Sequence, residues 1–167
     1  MAPPTSAARR LSDLRTARVR YALEVQPAAV ETIMTLAPES ADGRETGGIL
    51  LGRGPLPDGL IVIEQAGDAG AEAIRRPNFF LRDRAHAESL ALSAWKERQA
   101  VWVGDWHTHP VGGPHPSHRD LRTYAGLLAA AELEFLVFVS IIVVPDVIDG
   151  WRTPQLHPWL LDGQQST

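Results

Sequence analysis

The chain contains no cysteine among its 167 residues, which excludes disulfides, thiolate zinc sites, iron–sulfur clusters and a cysteine nucleophile together. It also lacks a long apolar run. The longest, Phe135 to Val144, is ten residues interrupted by Ser140, against the roughly 20 that a membrane helix needs. No signal-peptide core stands near the start, so no membrane partner and a cytoplasmic location are expected. Lysine is nearly missing as well: Lys96 stands alone beside fifteen arginines, a bias that codon composition explains better than chemistry does.

Positive charge is scarce beyond the first twenty residues. Arg9, Arg10, Arg15, Arg18 and Arg20 against Asp13 leave that stretch at +4, and the other 147 residues at −8. So acidic a body makes a poor nucleic-acid groove, which needs clustered positive charge, and suits instead a partner with a basic face. Residues 1–17, with Pro3 and Pro4, read as a disordered Arg-rich tail, although an organelle-targeting segment has a similar composition. Residues 18–163 are one domain's worth of chain, enough to bury a core without staples.

Hydrophobic periodicity gives an order of elements. Arg18–Val25 alternates as a strand, and Pro27 opens a helix whose stripe is Val30, Ile33, Met34 and Ala37. Residues 47–53 and 60–65 read as a hairpin, and residues 66–82 as a loop with a short strand. Asp83–Arg98 reads as a helix with Ala87, Leu90, Ala91, Ala94 and Trp95 packed on one face. Val101–His107 is a strand, residues 108–116 an irregular loop, and Ser117 to about Ala131 a helix. Phe135–Val144 is a buried strand, and Trp151–Leu161, with Pro154 and Pro158, at most an edge strand. Mixed strands and helices with hairpins make an α/β (α+β) domain.

The chemistry concentrates in residues 107–120, HTHPVGGPHPSHRD. His107 and His109 are two apart at a strand's end, so their side chains share a face. Asp120 returns toward that end on the first turn of the next helix. Two imidazoles and a carboxylate suit zinc with an open fourth position. Each part also has a plainer explanation: two half-buried histidines, and a Ser117-x-x-Asp120 helix cap. His115 and His118 read as solvated loop residues. A serine hydrolase built on Ser117, His118 and Asp120 fails, because the three crowd one helical turn and no Gly-x-Ser-x-Gly elbow exists.

His107-Thr108-His109, seven residues, Ser117, two residues and Asp120 resembles the JAMM signature of the JAB/MPN+ metallopeptidases. Upstream, Glu45-Thr46-Gly47-Gly48-Ile49-Leu50-Leu51-Gly52 resembles that family's glutamate segment. The resemblance implies a curved mixed β-sheet flanked by helices. It also implies Zn²⁺ and a water held by His107, His109 and Asp120, Glu45 as base and then acid, and Ser117 as oxyanion donor. WHTHP and the NFFLRD segment look most like small bacterial JAB deconjugases. These act beside E1- and E2-like ubiquitin-transfer enzymes, including in antiphage operons, on a ubiquitin-like protein or its conjugate. A branch that processes ubiquitin-like sulfur carriers, or cleaves their cysteine adducts, and a non-catalytic MPN-like scaffold are the alternatives. Residues 74–82, with Phe79 and Phe80, are the expected edge for the substrate's tail, unless those phenylalanines anchor an ordinary surface loop. Trp95, Trp102 and Trp151 read as packed or half-buried, and Trp106 as pointing away from the histidines.

Overall fold

The computed structural model describes residues 20–163; the tail expected over 1–17 lies outside them, as do Arg18 and Val19. Among the described residues, eight strands and three α-helices form a mixed α+β fold. In chain order these are β1 (Ala22–Val25), α1 (Pro27–Leu36), β2 (Gly47–Arg53), β3 (Leu60–Ala66), β4 (Ile74–Arg76), β5 (Phe79–Leu81), α2 (Arg84–Arg98), β6 (Val101–Thr108), α3 (His118–Ala129), β7 (Val137–Asp146) and β8 (Gly150–Asp162). A short 3₁₀ helix, Ala37–Asp42, prolongs α1, and another, Ala131–Leu133, follows α3.

Six strands make one sheet in the order β1-β3-β2-β6-β7-β8. β1–β3 and β6–β7 run parallel and the other pairs antiparallel. The parallel β6–β7 pair requires a crossover, and α3 supplies it. Opposite β2 the register skips Glu64 of β3, between Leu51 and Gly52, and Val103 of β6, between Leu50 and Leu51; such bulges bend a strand and curl the sheet. β8 pairs with β7 along its whole length and is an edge, as the prolines implied. A proline is tolerated there because its missing N–H need not serve a further strand.

One sheet face carries the main apolar core. Ala29 and Ile33 of α1 pack on Leu50, Ile61, Ile63, Val103, Trp106, Val139, Ile141 and Val143. On the other face α2 covers Ile49 and Leu51 through Ala87 and Ala94, and α3 sends Tyr124 to Ser140 of β7 at 2.8 Å. Asp83 caps α2, accepting the His86 N–H.

Two expectations need correction. Residues 66–82 are more than a loop with one strand: β4 and β5 pair as a two-stranded hairpin apart from the main sheet. Trp95 is not packed with the rest of its stripe but is 48% exposed, because it leaves α2 about 100° round from the buried Ala94, on the flank of the face centred on Ala87 and Ala94. Trp102 and Trp151 are half-buried as expected.

Candidate metal and catalytic centre

The end of β6 is where the two sheet faces part company. Trp106 turns into the α1 core, fully buried, and its indole N–H donates to the Gly67 carbonyl at 2.8 Å. His107 turns the opposite way and meets His109, Nε2 to Nε2, at 2.9 Å. Both histidines are buried. The backbone runs close here: a Cβ added to Gly47, opposite His107, would lie 2.2 Å from the Trp106 carbonyl oxygen and 2.9 Å from the His107 Cβ. Only glycine leaves the imidazole its place.

Asp120 arrives from α3. Ser117 is the N-cap of that helix, and Asp120 completes a capping box with it. The Asp120 N–H donates to Ser117 Oγ at 3.2 Å, and the Ser117 N–H donates to Asp120 Oδ2 at 2.7 Å. The box aims the carboxylate at the histidines: Oδ1 is 3.5 Å from His107 Nε2 and Oδ2 3.4 Å from His109 Nε2. The cap reading of Ser117 and Asp120 is therefore correct, and it does not compete with a place at the centre.

The donor set fits a small divalent metal on two grounds. The three separations of 2.9, 3.4 and 3.5 Å bracket the edge of about 3.3–3.4 Å that a tetrahedron with zinc–nitrogen bonds of 2.0–2.1 Å requires. Also, His109 Nδ1 lies 2.9 Å from the Gly113 carbonyl. A carbonyl only accepts, so Nδ1 carries the proton, and the neutral ring turns its Nε2 lone pair to the centre. Electrostatics agree that a cation belongs there. Burial alone would raise the Asp120 carboxyl, yet bonds from His107, His109 and Ser117 hold it far below the ordinary carboxylate range. Burial likewise pushes His109 down, but Asp120, the Gly113 carbonyl and Glu45 outweigh it and leave the imidazole above its usual value. Among the described residues, His107, His109 and Asp120 are the one group placed to hold a metal. His115 and His118 are exposed and outside it; His115 packs edge-on against Trp159.

Glu45 lines the same cleft as His107, Ser117 and Asp120. It is buried, and that desolvation lifts its carboxyl above the usual value against the opposing pull of His107 and His109. Its backbone is held from both sides. On one side Glu45 N–H donates to the Arg76 carbonyl at 2.9 Å, and Arg75 Nε donates to the Glu45 carbonyl at 3.0 Å. On the other, the next residue is gripped by β6: Thr46 N–H donates to Thr108 Oγ1 at 2.8 Å, and Thr108 N–H to the Thr46 carbonyl at 2.9 Å. Ser40 Oγ joins Thr108 Oγ1 at 2.6 Å. The threonine between the two histidines thus ties the glutamate segment to the strand that carries them.

The hairpin forms one wall of the cleft, with Phe79, Phe80 and Leu81 lining it. A pair that sequence reasoning missed lies deeper: Arg82 donates to Asp105 Oδ2 at 2.7 Å, and Trp102 Nε1 to Asp105 Oδ1 at 3.0 Å. Burial raises the Asp105 carboxyl, with Arg82 opposing. The signal was available, since Asp105 lies two residues before His107 on one strand and must share its face.

The sequence pattern of the family described as prokaryotic homologs of the JAB domain matches residues 27–156. The chain belongs to that family. Three curated relatives are each named a CD-NTase/cGAS isopeptidase. The one from Enterobacter hormaechei is 29% identical over 126 residues, covering 75% of this chain and 69% of the relative. That from Pseudomonas aeruginosa is 32% identical over 112 residues, 66% of this chain and 70% of the relative. The Escherichia coli relative is 28% identical over 100 residues, 58% of this chain and 62% of its own length. Among solved structures, a protein from Desulfitobacterium hafniense aligns over 86% of both chains with a TM-score of 0.59 at 19% identity, a likeness of fold. The JAB-family chain has no helix among its described residues long and apolar enough to cross a membrane.

Proposed function

We propose that this JAB-family chain is a zinc-dependent hydrolase that cleaves the peptide or isopeptide bond after the C-terminal tail of a ubiquitin-like protein. The observation that carries the reading is the convergence of His107, His109 and Asp120 in one cleft with Glu45 and Ser117. The naming of the relatives as isopeptidases supports deconjugation over the trimming of a sulfur carrier; a place in antiphage defence beside E1- and E2-like enzymes is part of the same proposal.

His107, His109 and Asp120 would hold Zn²⁺, which when bound supplies Lewis acidity that brings water toward ionisation near neutral pH. Glu45 takes a proton from the attacking water on its carboxylate and returns it to the leaving amine nitrogen as the C–N bond breaks. Its raised affinity for a proton suits both halves of that exchange. Ser117 Oγ accepts the Asp120 N–H in the cap, which leaves its own O–H proton to donate toward the substrate oxygen that gains charge. Phe79 and Phe80 line the wall along which the tail would lie. Among the described residues β5 makes no backbone hydrogen bond beyond the hairpin, so its outer edge is open to an extended strand.

The test has two arms. Protein purified without chelator should contain about one zinc per chain, and His107→Ala should lose it. Zinc far below one equivalent, the same in wild type and His107→Ala, refutes the metal centre. A folded ubiquitin-like fusion should be cleaved with higher kcat/KM than a peptide of its tail alone; equal values point to a general peptidase.

A further inference from the structure

Among the described residues, three arginines on the hairpin and on α3 have no carboxylate partner, and one of them, Arg119, lines the cleft. Arg76 ends β4 and pairs across the hairpin with Phe79, so the two side chains leave the same face. The Arg119 guanidinium lies over that Phe79 ring, 5.2 Å from its centroid, and its Nη1 donates to the Asn78 carbonyl at 3.3 Å. Arg122 follows three residues along α3, next to Arg119 on the flank of the helix that turns away from Asp120. All three are exposed. Of the other described arginines, Arg44 and Arg75 reach Asp42, Arg53 reaches Glu64, Arg82 reaches Asp105 and Arg84 reaches Glu88, while Arg20, Arg98 and Arg152, also without a carboxylate partner, are not among the residues lining the cleft.

The carboxylates of the cleft do not answer these cations in kind. Asp120 is turned to the two histidines and Asp105 to Arg82. Glu45 is buried and feels the Arg119 charge without bonding it. A guanidinium stacked on a ring keeps its in-plane N–H donors free, and that fork matches a carboxylate. The mouth is therefore locally cationic on a chain whose described body is acidic, the reverse of what net charge alone implies.

We propose that Arg76, Arg119 and Arg122 form a receptor for acidic side chains on the protein segment that enters the cleft. The partner thus presents Asp or Glu beside its extended tail. The proposal rests on reading the cleft as a tail-binding site, but it is tested by binding without hydrolysis, so a failure of catalysis leaves it standing.

The experiment uses the full chain and two fluorescein-labelled extended peptides of about twelve residues, differing only in carrying glutamates or lysines at their centre, read by fluorescence anisotropy at low salt. The glutamate peptide should bind about tenfold tighter or better, and added salt should erode the difference. Arg119→Glu with Arg122→Glu should abolish the preference, and Arg76→Glu should weaken it from the hairpin side. Arg84→Glu with Arg98→Glu changes the net charge equally on α2 and should stay within about twofold of wild type. Melting by circular dichroism checks that each variant folds; should the α3 pair unfold the protein, Arg76→Glu decides. Equal binding of the two peptides, no binding of the glutamate peptide, or the same loss in the α2 control overturns the proposal.

Discussion

On the α1 side of the sheet, Trp106 sits fully buried among Ile61, Ile63 and Ile141, and its one polar atom is satisfied by Gly67. One residue on, His107 sits among His109, Asp120 and Glu45, where groups that water would gladly solvate are crowded together instead. The two faces share strands, register and backbone bonds. They differ in what their side chains are held for. The first face lowers the free energy of the fold, while the second is a place where the fold's stability is used to hold polar groups against their preference. Alternation along β6 assigns adjacent residues to the two tasks.

That division is open to attack by mutation. Trp106→Ala should cost about 3–5 kcal/mol of stability, measured by urea unfolding, and a loss under 1 kcal/mol would erase the distinction between the faces. Glu45→Gln should lower turnover at least about 100-fold while zinc content and melting temperature stay at wild-type values. A variant that is both inactive and unfolded would place Glu45 with the structural residues instead. Thr108→Val tests the boundary, since Thr108 carries bonds to Thr46 and Ser40 from between the two histidines. Leaving those buried groups unpaired should cost about 1–3 kcal/mol, and Thr108→Ser should restore most of it.

Ser117→Ala should remove about 1 kcal/mol of stability through the lost cap and, separately, lower turnover per folded molecule. Undiminished turnover would leave Ser117 a cap alone. The smallest effect expected is in acid. The carboxyls of Asp83 and Asp146 are held below their usual values mainly by backbone N–H bonds, from His86 and from Asp149 and Ile148 respectively. Their contribution is present above the unfolded value of about 3.9 and is lost as pH falls through the lowered folded values. Asp83→Asn should flatten the acid limb of the melting temperature slightly, and an unchanged limb would remove Asp83 from the account.

Much of this was legible in the chain. The opposed directions of Trp106 and His107 follow from a period of two, and the Ser117–Asp120 box from spacing alone. The β4–β5 hairpin was half-legible: strands of three residues are too short for alternation to register, and the pairing of Arg76 with Phe79 is a tertiary fact. Trp95 misled because an apolar stripe is broader than the face that is covered, and Trp95 stands at its flank, about 100° from the buried Ala94. Arg82 with Asp105 was missed because ion pairs between distant segments leave no local signal, although the placement of Asp105 was there to be read. The sign of the charge at the cleft was hidden by summation. A net value of −8 says nothing about where Arg119 and, across the hairpin from Phe79, Arg76 stand.

The Asp120 carboxylate that faces the histidines also accepts the Ser117 amide at 2.7 Å, so the start of α3 and the occupancy of the centre are linked equilibria. A cation held by Asp120 would compete with the Ser117 N–H for the carboxylate's electron density. The exchange of that single amide proton with deuterated solvent thus becomes a gauge of loading, while the amides around Tyr124, well inside the helix, stay indifferent to it.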